Sequence, residues 1–70
     1  MLELFNEYAD DNQIEFLSGQ RSRYKIMYVR RKFILLRFDD EKGYFVEIRT
    51  ATEEDLQTAI KFIGGEKSEN

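Results

Sequence analysis

The chain contains no cysteine, no histidine and no proline, and these absences exclude several functions and several ways of stabilising a small protein. Without cysteine there are no disulfides, and without cysteine and histidine the usual ligands of zinc and of most transition metals are missing. The side chain that most often moves protons at neutral pH and the most potent nucleophile are missing as well. We therefore predict that the protein is not an enzyme and that it uses no metal or other cofactor.

Carboxylates could still provide acid–base chemistry or bind a cation, and they are grouped at Asp10–Asp11 and at Asp39–Glu41. Both groups lie in predicted turns, where acidic side chains are frequent because they hydrogen-bond to the nearby backbone. The segment DDEKG lacks the alternating oxygen ligands of a calcium loop, and IGGEKS does not match the glycine-rich loop that binds phosphates. No residue is therefore predicted to be catalytic.

Long hydrophobic runs are also missing: none approaches the roughly 18 residues that cross a bilayer. The start of the chain, MLELFNEYADD, is acidic where a signal peptide is basic, so we expect a soluble, cytoplasmic protein that does not bind membranes. A chain of 70 residues suffices for one domain. We place that domain at residues 1–63 and predict a disordered tail at 64–70, because GGEKSEN has no apolar side chain. So small a core is expected to need a partner or a second copy for stability.

Charge is strongly segregated along the chain, although the net charge is only −3. Residues 1–16 carry a net charge of −5, residues 17–38 carry +7, and residues 39–70 carry −5. Within the middle block, the segment 21–38 holds seven Arg or Lys residues and no acid. Such a block is typical of a solvated surface, of an edge strand protected against aggregation, or of a binding site.

Hydrophobic periodicity predicts two helices and four strands. A short helix is predicted from LELFNEYA at the start and a longer one after Thr52. Between them QIEFLSG, RYKIMYV, FILLRF and GYFVEIRT alternate as strands do, and the predicted turns are Gly19 to Ser22, RRK and DDEKG. Consecutive strands usually pair. The predicted fold is therefore an α+β domain: a four-stranded antiparallel meander with the C-terminal helix on one face and a short N-terminal helix.

Individual residues predict where the second helix begins and ends. Thr52 is followed three residues later by Asp55, an approximation to the capping box that starts many helices. An apolar stripe then runs from Leu56 to Ile63. The pair Gly64–Gly65 predicts the end of the helix, because glycine readily adopts the left-handed conformation of a helix stop.

Strand alternation also predicts which side chains share a face of the sheet. The face toward the C-terminal helix is predicted to carry Tyr24, Ile26, Tyr28, Ile34, Leu36, Phe38, Val46 and Ile48. The opposite face is predicted to carry ten residues, half of them large and apolar: Arg23, Lys25, Met27, Val29, Phe33, Leu35, Arg37, Phe45, Glu47 and Arg49. So apolar a face requires a cover, which the N-terminal helix, a second copy of the chain or a different macromolecule could provide.

The predicted binding residues combine the basic block with this second face: Arg23, Lys25, Arg30, Arg31, Lys32, Phe33, Arg37 and Arg49. Arginine and aromatic side chains are enriched at protein interfaces, so we predict a small protein-binding module. An inhibitor, adaptor or accessory factor of phage or mobile-element type would suit it, with a larger host or cellular complex as its partner and a homodimer as a further option. The alternative is a nucleic-acid-binding module whose cations neutralise phosphates while Tyr28, Phe33 or Phe45 stacks on bases. Protein is favoured because the fourteen acids of so small a domain oppose binding of a polyanion.

The segment LELFNEYADDN resembles the first helix of double-stranded-RNA-binding domains, which contain a helix, three strands and a second helix. Those domains begin their second helix with a basic segment that grips phosphates. This chain has one more strand, and it has Thr52, Glu53, Glu54 and Asp55 at that point, which would repel RNA. The sequence is therefore not assigned to that family.

Overall fold

The computed structural model describes the backbone of residues 1–17 and 22–68, with side chains as far as residue 63. The elements follow in chain order: α1 (Leu2–Tyr8), β1 (Gln13–Leu17), β2 (Arg23–Val29), β3 (Lys32–Asp39), β4 (Tyr44–Thr50) and α2 (Glu53–Ser68). The predicted α+β class, with four antiparallel strands between a short and a longer helix, is confirmed. The predicted turn from Gly19 to Ser22 lies, apart from Ser22, outside the described residues.

The four strands form one antiparallel sheet in the order in which they occur along the chain. Ile14 of β1 lies opposite Ile26 of β2, which in turn lies opposite Leu35 of β3. All three side chains are buried. Because residues directly opposite each other point to the same side of a sheet, this row defines the side that carries the core, called here the core face.

Both helices pack on the core face. α2 contributes Leu56 and Ala59, which are completely buried. α1 contributes Phe5, whose ring is completely buried and lies 5.1 Å from the ring of Phe33 and 6.2 Å from that of Tyr28. The alternative in which α1 covers the opposite side of the sheet is therefore wrong.

β3 lies one residue out of phase with its prediction, because the turn before it is shorter than predicted. Arg30 and Arg31 alone form the turn, with φ angles of 53° and 66°, and Val29 pairs with Lys32. The prediction treated RRK as a three-residue step, which would bring Phe33 opposite Val29. A shift of one residue moves every side chain of a strand to the other face.

The shift reverses the predicted faces of β3. Arg37 lies opposite Tyr24, and Phe33 lies opposite Tyr28, so both are on the core face with Leu35. The three apolar side chains predicted to meet the helix lie instead on the opposite side of the sheet. The prediction is therefore wrong for six residues: Phe33, Ile34, Leu35, Leu36, Arg37 and Phe38.

β4 agrees with its prediction at one end and departs from it at the other, because a bulge interrupts its pairing with β3. Val46 lies opposite Arg37 on the core face, as predicted for the helix side. Beyond the bulge, Arg49 lies opposite Leu35, so Arg49 is on the core face although it was predicted for the opposite one. Ile48, predicted for the helix side, is 47% exposed. An extra residue in one strand changes which side chains reach a given face.

The turn between β3 and β4 has the predicted glycine at its end. Gly43 adopts a φ of 79°, and its backbone N–H donates to the carbonyl oxygen of Asp39 at 2.7 Å. The carboxylate of Asp39 accepts hydrogen bonds from the backbone N–H groups of Glu41 and Lys42. This acid therefore has the local backbone role that the sequence predicts for acids in turns.

α2 begins with the predicted capping box. The backbone N–H of Asp55 donates to Thr52 Oγ1 at 3.2 Å, and the backbone N–H of Thr52 donates to Asp55 Oδ2 at 2.8 Å. The helix continues through Gly64 and Gly65 to Ser68, so the predicted stop is wrong. Glycine costs about 1 kcal/mol relative to alanine inside a helix, but unlike proline it keeps the N–H that the helix needs.

Candidate binding face

The side of the sheet that points away from both helices is the candidate site, called here the open face. Its members alternate along the strands with the residues of the core face, except at the bulge of β4. Within residues 1–17 and 22–63, none of them belongs to the buried core or to the partly buried apolar side chains packed against it. They are Gln13, Glu15, Leu17, Arg23, Lys25, Met27, Val29, Lys32, Ile34, Leu36, Phe38, Phe45, Glu47 and Thr50.

The centre of the open face is apolar. Met27, Ile34, Leu36, Phe38 and Phe45 lie on the three neighbouring strands β2, β3 and β4, and each is half-buried by the others and by nearby side chains. Phe38 and Phe45 are direct partners across the strands, with ring centroids 5.3 Å apart and an interplanar angle of 77°. Such edge-to-face pairs are favourable and hold both rings in a fixed position. The face therefore presents a preformed apolar surface.

Two cations of β2 lie across these aromatic rings. The guanidinium carbon of Arg23 is 4.5 Å from the ring centroid of Phe38 and 5.5 Å from that of Phe45. The ammonium nitrogen of Lys25 is 4.3 Å from the centroid of Phe45. These are cation–π distances, worth roughly 0.5–1 kcal/mol at exposed sites. Positive charge is therefore held directly over apolar surface.

Arg23 is also held by an acid of the neighbouring strand. Its guanidinium donates to Glu15 Oε1 at 3.0 Å. Both side chains are about half exposed, at 46% and 49%, so the ion pair contributes at most about 1 kcal/mol to stability. Its main effect is to fix the orientation of the guanidinium group.

The β2–β3 turn adds three consecutive cations at one end of the open face. Arg30, Arg31 and Lys32 are all exposed. The first two have left-handed backbone conformations, which two-residue hairpin turns usually fill with Asn or Gly. For residues with a side chain beyond Cα the left-handed conformation costs roughly 1–2 kcal/mol each. These arginines therefore stand at a position where the backbone does not favour them.

Three of the predicted binding residues are not on the open face. Phe33 packs against Phe5 and Tyr28 in the core. Arg37 is exposed but lies on the core face. Arg49 forms two hydrogen bonds with the carboxylate of Asp55, at 2.8 and 3.0 Å, and so joins β4 to the start of α2. The structure thus brings Arg23, Lys25, Arg30, Arg31 and Lys32 together on the open face and its adjoining turn.

The sequence interpretation missed the apolar centre that β3 contributes and the acid that β1 contributes. Ile34, Leu36 and Phe38 were assigned to the wrong side, and Glu15 was left out because no residue of β1 was assigned to either face. The informative signal was the length of the turn. If RR rather than RRK is read as the hairpin turn, Lys32 enters β3 and the face of every later residue of that strand changes.

A cleft of about 240 Å³ lies on the core face, between α2 and the four strands of the sheet. It is lined by aromatic and aliphatic side chains, including Phe16 and Phe62, and by two charged residues, Arg49 and Asp55. These two charged groups form an ion pair with each other. The cleft is also smaller than the roughly 300–1,000 Å³ typical of small-molecule sites. The open face is therefore the stronger candidate.

The described part of the chain contains no helix with the length and apolar character needed to cross a membrane. In the same residues, no group of three or more acidic side chains comes together as a metal site. Comparison of the chain with protein-family models, with curated proteins and with solved structures gave no match.

Proposed function

We propose that this protein is a small non-enzymatic binding module that attaches its open face to another protein, as an inhibitor, adaptor or accessory factor does. The supporting observation is that both helices pack on the core face. The apolar centre of the open face is thus left without a cover among the described residues. Exposed apolar patches of this kind are a common feature of interaction sites.

The side chains of the open face define the chemistry of the partner. Phe38 and Phe45 favour an apolar surface opposite them, while Arg23 and Lys25 favour carboxylates at its margin. Arginine and large aromatic residues are the types that most often dominate the binding energy of an interface. The partner should therefore present an apolar patch bordered by acidic side chains.

The β2–β3 turn supports the same proposal. Backbone conformations that are strained for their residue type cluster at functional sites, because selection keeps the side chain despite its cost. Arg30 and Arg31 are such residues, and their side chains are exposed at the end of the open face. In this proposal they add positive charge at the edge of the open face, where it can pair with acidic side chains of the partner.

Nucleic acid is the second candidate, because the open face and its turn together carry five cations and only two carboxylates. Three of the cations are consecutive, at Arg30, Arg31 and Lys32. The rings of Phe38 and Phe45, however, already have cations of the same chain over them, which a stacking base would have to displace. A protein partner can pair these cations with its own carboxylates at the margin of the contact and is therefore preferred.

The test is photo-crosslinking from two neighbouring aromatic positions on opposite faces of β4. A benzophenone amino acid replaces Phe45 on the open face in one protein and Tyr44 on the core face in the other. Each is irradiated in a lysate of cells that carry the natural gene, with and without nuclease. From position 45 we expect a nuclease-resistant product with a different protein, distinct in mass from a crosslinked dimer of this chain. From position 44 we expect little or none, although Tyr44 is 58% exposed.

Competition provides the control. An excess of unlabelled wild-type protein should remove the product from position 45, and Lys25→Glu should compete poorly because it reverses a cation of the open face. Lys61→Glu, on the exposed side of α2, should compete as wild type does. Equal crosslinking from positions 44 and 45, or no product from position 45, would contradict the proposal.

The nucleic-acid candidate has a separate measurement. Binding to single- and double-stranded oligonucleotides is measured at low and moderate salt. A steep salt dependence that becomes shallower when Arg30, Arg31 and Lys32 are changed to Ala would establish phosphate contacts by this turn. Absence of binding even at low salt would remove this candidate.

A further inference from the structure

We infer that, in the absence of its partner, the open face is covered by the open face of a second copy of this chain, related by a two-fold axis that runs along β3. The inference rests on the proposed function, because both use the open face as the binding surface. It adds that a second copy of the chain can bind there, and it specifies how the two copies are arranged.

The first step is the order of charges across the sheet. A single row across the four strands consists of Glu15, Lys25, Leu36 and Glu47, which lie opposite one another in turn. From β1 to β4 the side chains of this row are acidic, basic, apolar and acidic, and the row crosses the middle of β3. Within the described residues neither Lys25 nor Glu47 has an ion-pair partner, whereas Glu15 binds Arg23. A cation on β2 and an acid on β4, neither in an ion pair, therefore lie on either side of the apolar strand β3.

The second step is the effect of a two-fold axis along β3. This axis places β3 of one copy on β3 of the other and β2 of each copy on β4 of the other. Lys25 then faces Glu47 of the second copy, and the symmetry repeats this pair, while Leu36 faces its own equivalent. Two ion pairs form on either side of an apolar contact.

The other axes parallel to the strands give poorer contacts. An axis along β2 would bring Lys25 onto Lys25 of the second copy. An axis between β2 and β3 would bring Glu15 onto Glu47 of the second copy and Lys25 onto Leu36. Like charges that face each other are unfavourable, so the charge pattern selects the axis along β3.

The apolar contact is suited to sheet-on-sheet packing but limited in area. Ile34, Leu36 and Phe38 of the two copies would interdigitate about the axis, as side chains do between sheets roughly 10 Å apart. With strands about 4.8 Å apart and about 3.3 Å per residue, three overlapping strands of about seven residues cover a footprint near 300–350 Å² per copy. Standard stable interfaces bury about 800 Å² per partner, so we expect a weak dimer that a larger partner can displace.

The inference is tested by charge reversal in solution. Sedimentation equilibrium of the full chain, over micromolar to millimolar concentrations at low salt, should show a monomer–dimer equilibrium. Lys25→Glu and Glu47→Lys should each raise the dissociation constant about tenfold or more, because each replaces both ion pairs by repulsion. A 1:1 mixture of the two variants should form a heterodimer close to wild type in affinity, because every reversed charge then faces its opposite.

The mixture separates this arrangement from a general loss of stability, since it uses the same two variants that fail alone. Lys61→Glu and Glu54→Lys on the exposed side of α2 are the matched controls and should leave the dissociation constant unchanged. A chain that remains monomeric at millimolar concentration overturns the inference. So does a mixture no tighter than the single variants. Neither result affects crosslinking of a different protein from position 45, by which the proposed function is judged.

Discussion

Leu35 and Leu36 are adjacent leucines of β3 whose side chains lie on opposite faces of the sheet, and changing each to alanine tests the assignment of those faces. Leu35 is 5% exposed and belongs to the core between the sheet and the helices. Leu36 is half-buried on the open face. The two changes remove the same atoms from neighbouring positions, so the difference between them reports the environment alone.

The expected costs follow from burial. Leu35→Ala leaves a cavity in a closed core, and such changes cost 2–5 kcal/mol, so we take about 3 kcal/mol. A domain of this length has a free energy of unfolding of roughly 4–10 kcal/mol, which means that about 30% or more of its stability is lost. In Leu36→Ala the space left by the side chain is open to solvent, so no cavity forms. Burying a leucine completely stabilises a fold by roughly 1.5–3 kcal/mol, and Leu36 is only half-buried, so we expect the free energy of unfolding to fall by about 1 kcal/mol.

Urea unfolding followed by circular dichroism measures both variants, at a protein concentration low enough to keep the chain monomeric. In thermal unfolding the same costs correspond to a lowering of the midpoint by about 12–24 °C for Leu35→Ala and about 4–8 °C for Leu36→Ala. A Leu36→Ala cost equal to or greater than that of Leu35→Ala would refute the assigned faces of β3. The open face and both proposals would then lose their basis.

Two further predictions concern the turn and the cap. Asp55→Ala removes one half of the capping box and both hydrogen bonds of Arg49, so it should lower the free energy of unfolding by about 2 kcal/mol, while the neighbouring Glu54→Ala should cost little. Equal losses would show that the cap does not stabilise α2. Replacing Arg30–Arg31 by Asn–Gly should raise the free energy of unfolding by about 1–2 kcal/mol, because these residues adopt left-handed conformations at lower cost. A loss of stability would contradict the two-residue turn.

Features set by local sequence were predicted correctly. The capping box of Thr52 and Asp55 and the glycine of the β3–β4 turn depend on a few adjacent residues, and the structure has both. The alternation of β2 is also unambiguous, because Arg23 and Lys25 are interleaved with Tyr24 and Ile26. In the cap and the turn a particular residue type is strongly preferred at one position, and in β2 polar and apolar residues alternate without ambiguity.

The orientation of β3 could not be predicted in the same way, because FILLRF has apolar side chains on both faces of the strand. Phe33 and Leu35 can fill a core, and so can Ile34 and Leu36, so hydrophobicity does not distinguish the two phases. Only the length of the preceding turn decides between them, and arginine at two left-handed positions gave no signal for a two-residue turn. The bulge that moves Arg49 to the core face is likewise a matter of pairing between strands, which one strand's sequence does not reveal.

The same apolar run explains why the sheet has an apolar face without a cover even though the two faces of β3 are exchanged relative to the prediction. A strand that is apolar on both sides is typical of a sheet that is covered on both sides. Phe33 and Leu35 have their cover in α1, α2 and the rest of the core. Ile34 and Leu36 have none among the described residues, although β3 is an inner strand of the sheet. Whichever phase β3 adopts, one half of FILLRF requires a second surface, and the turn length determines only which half it is.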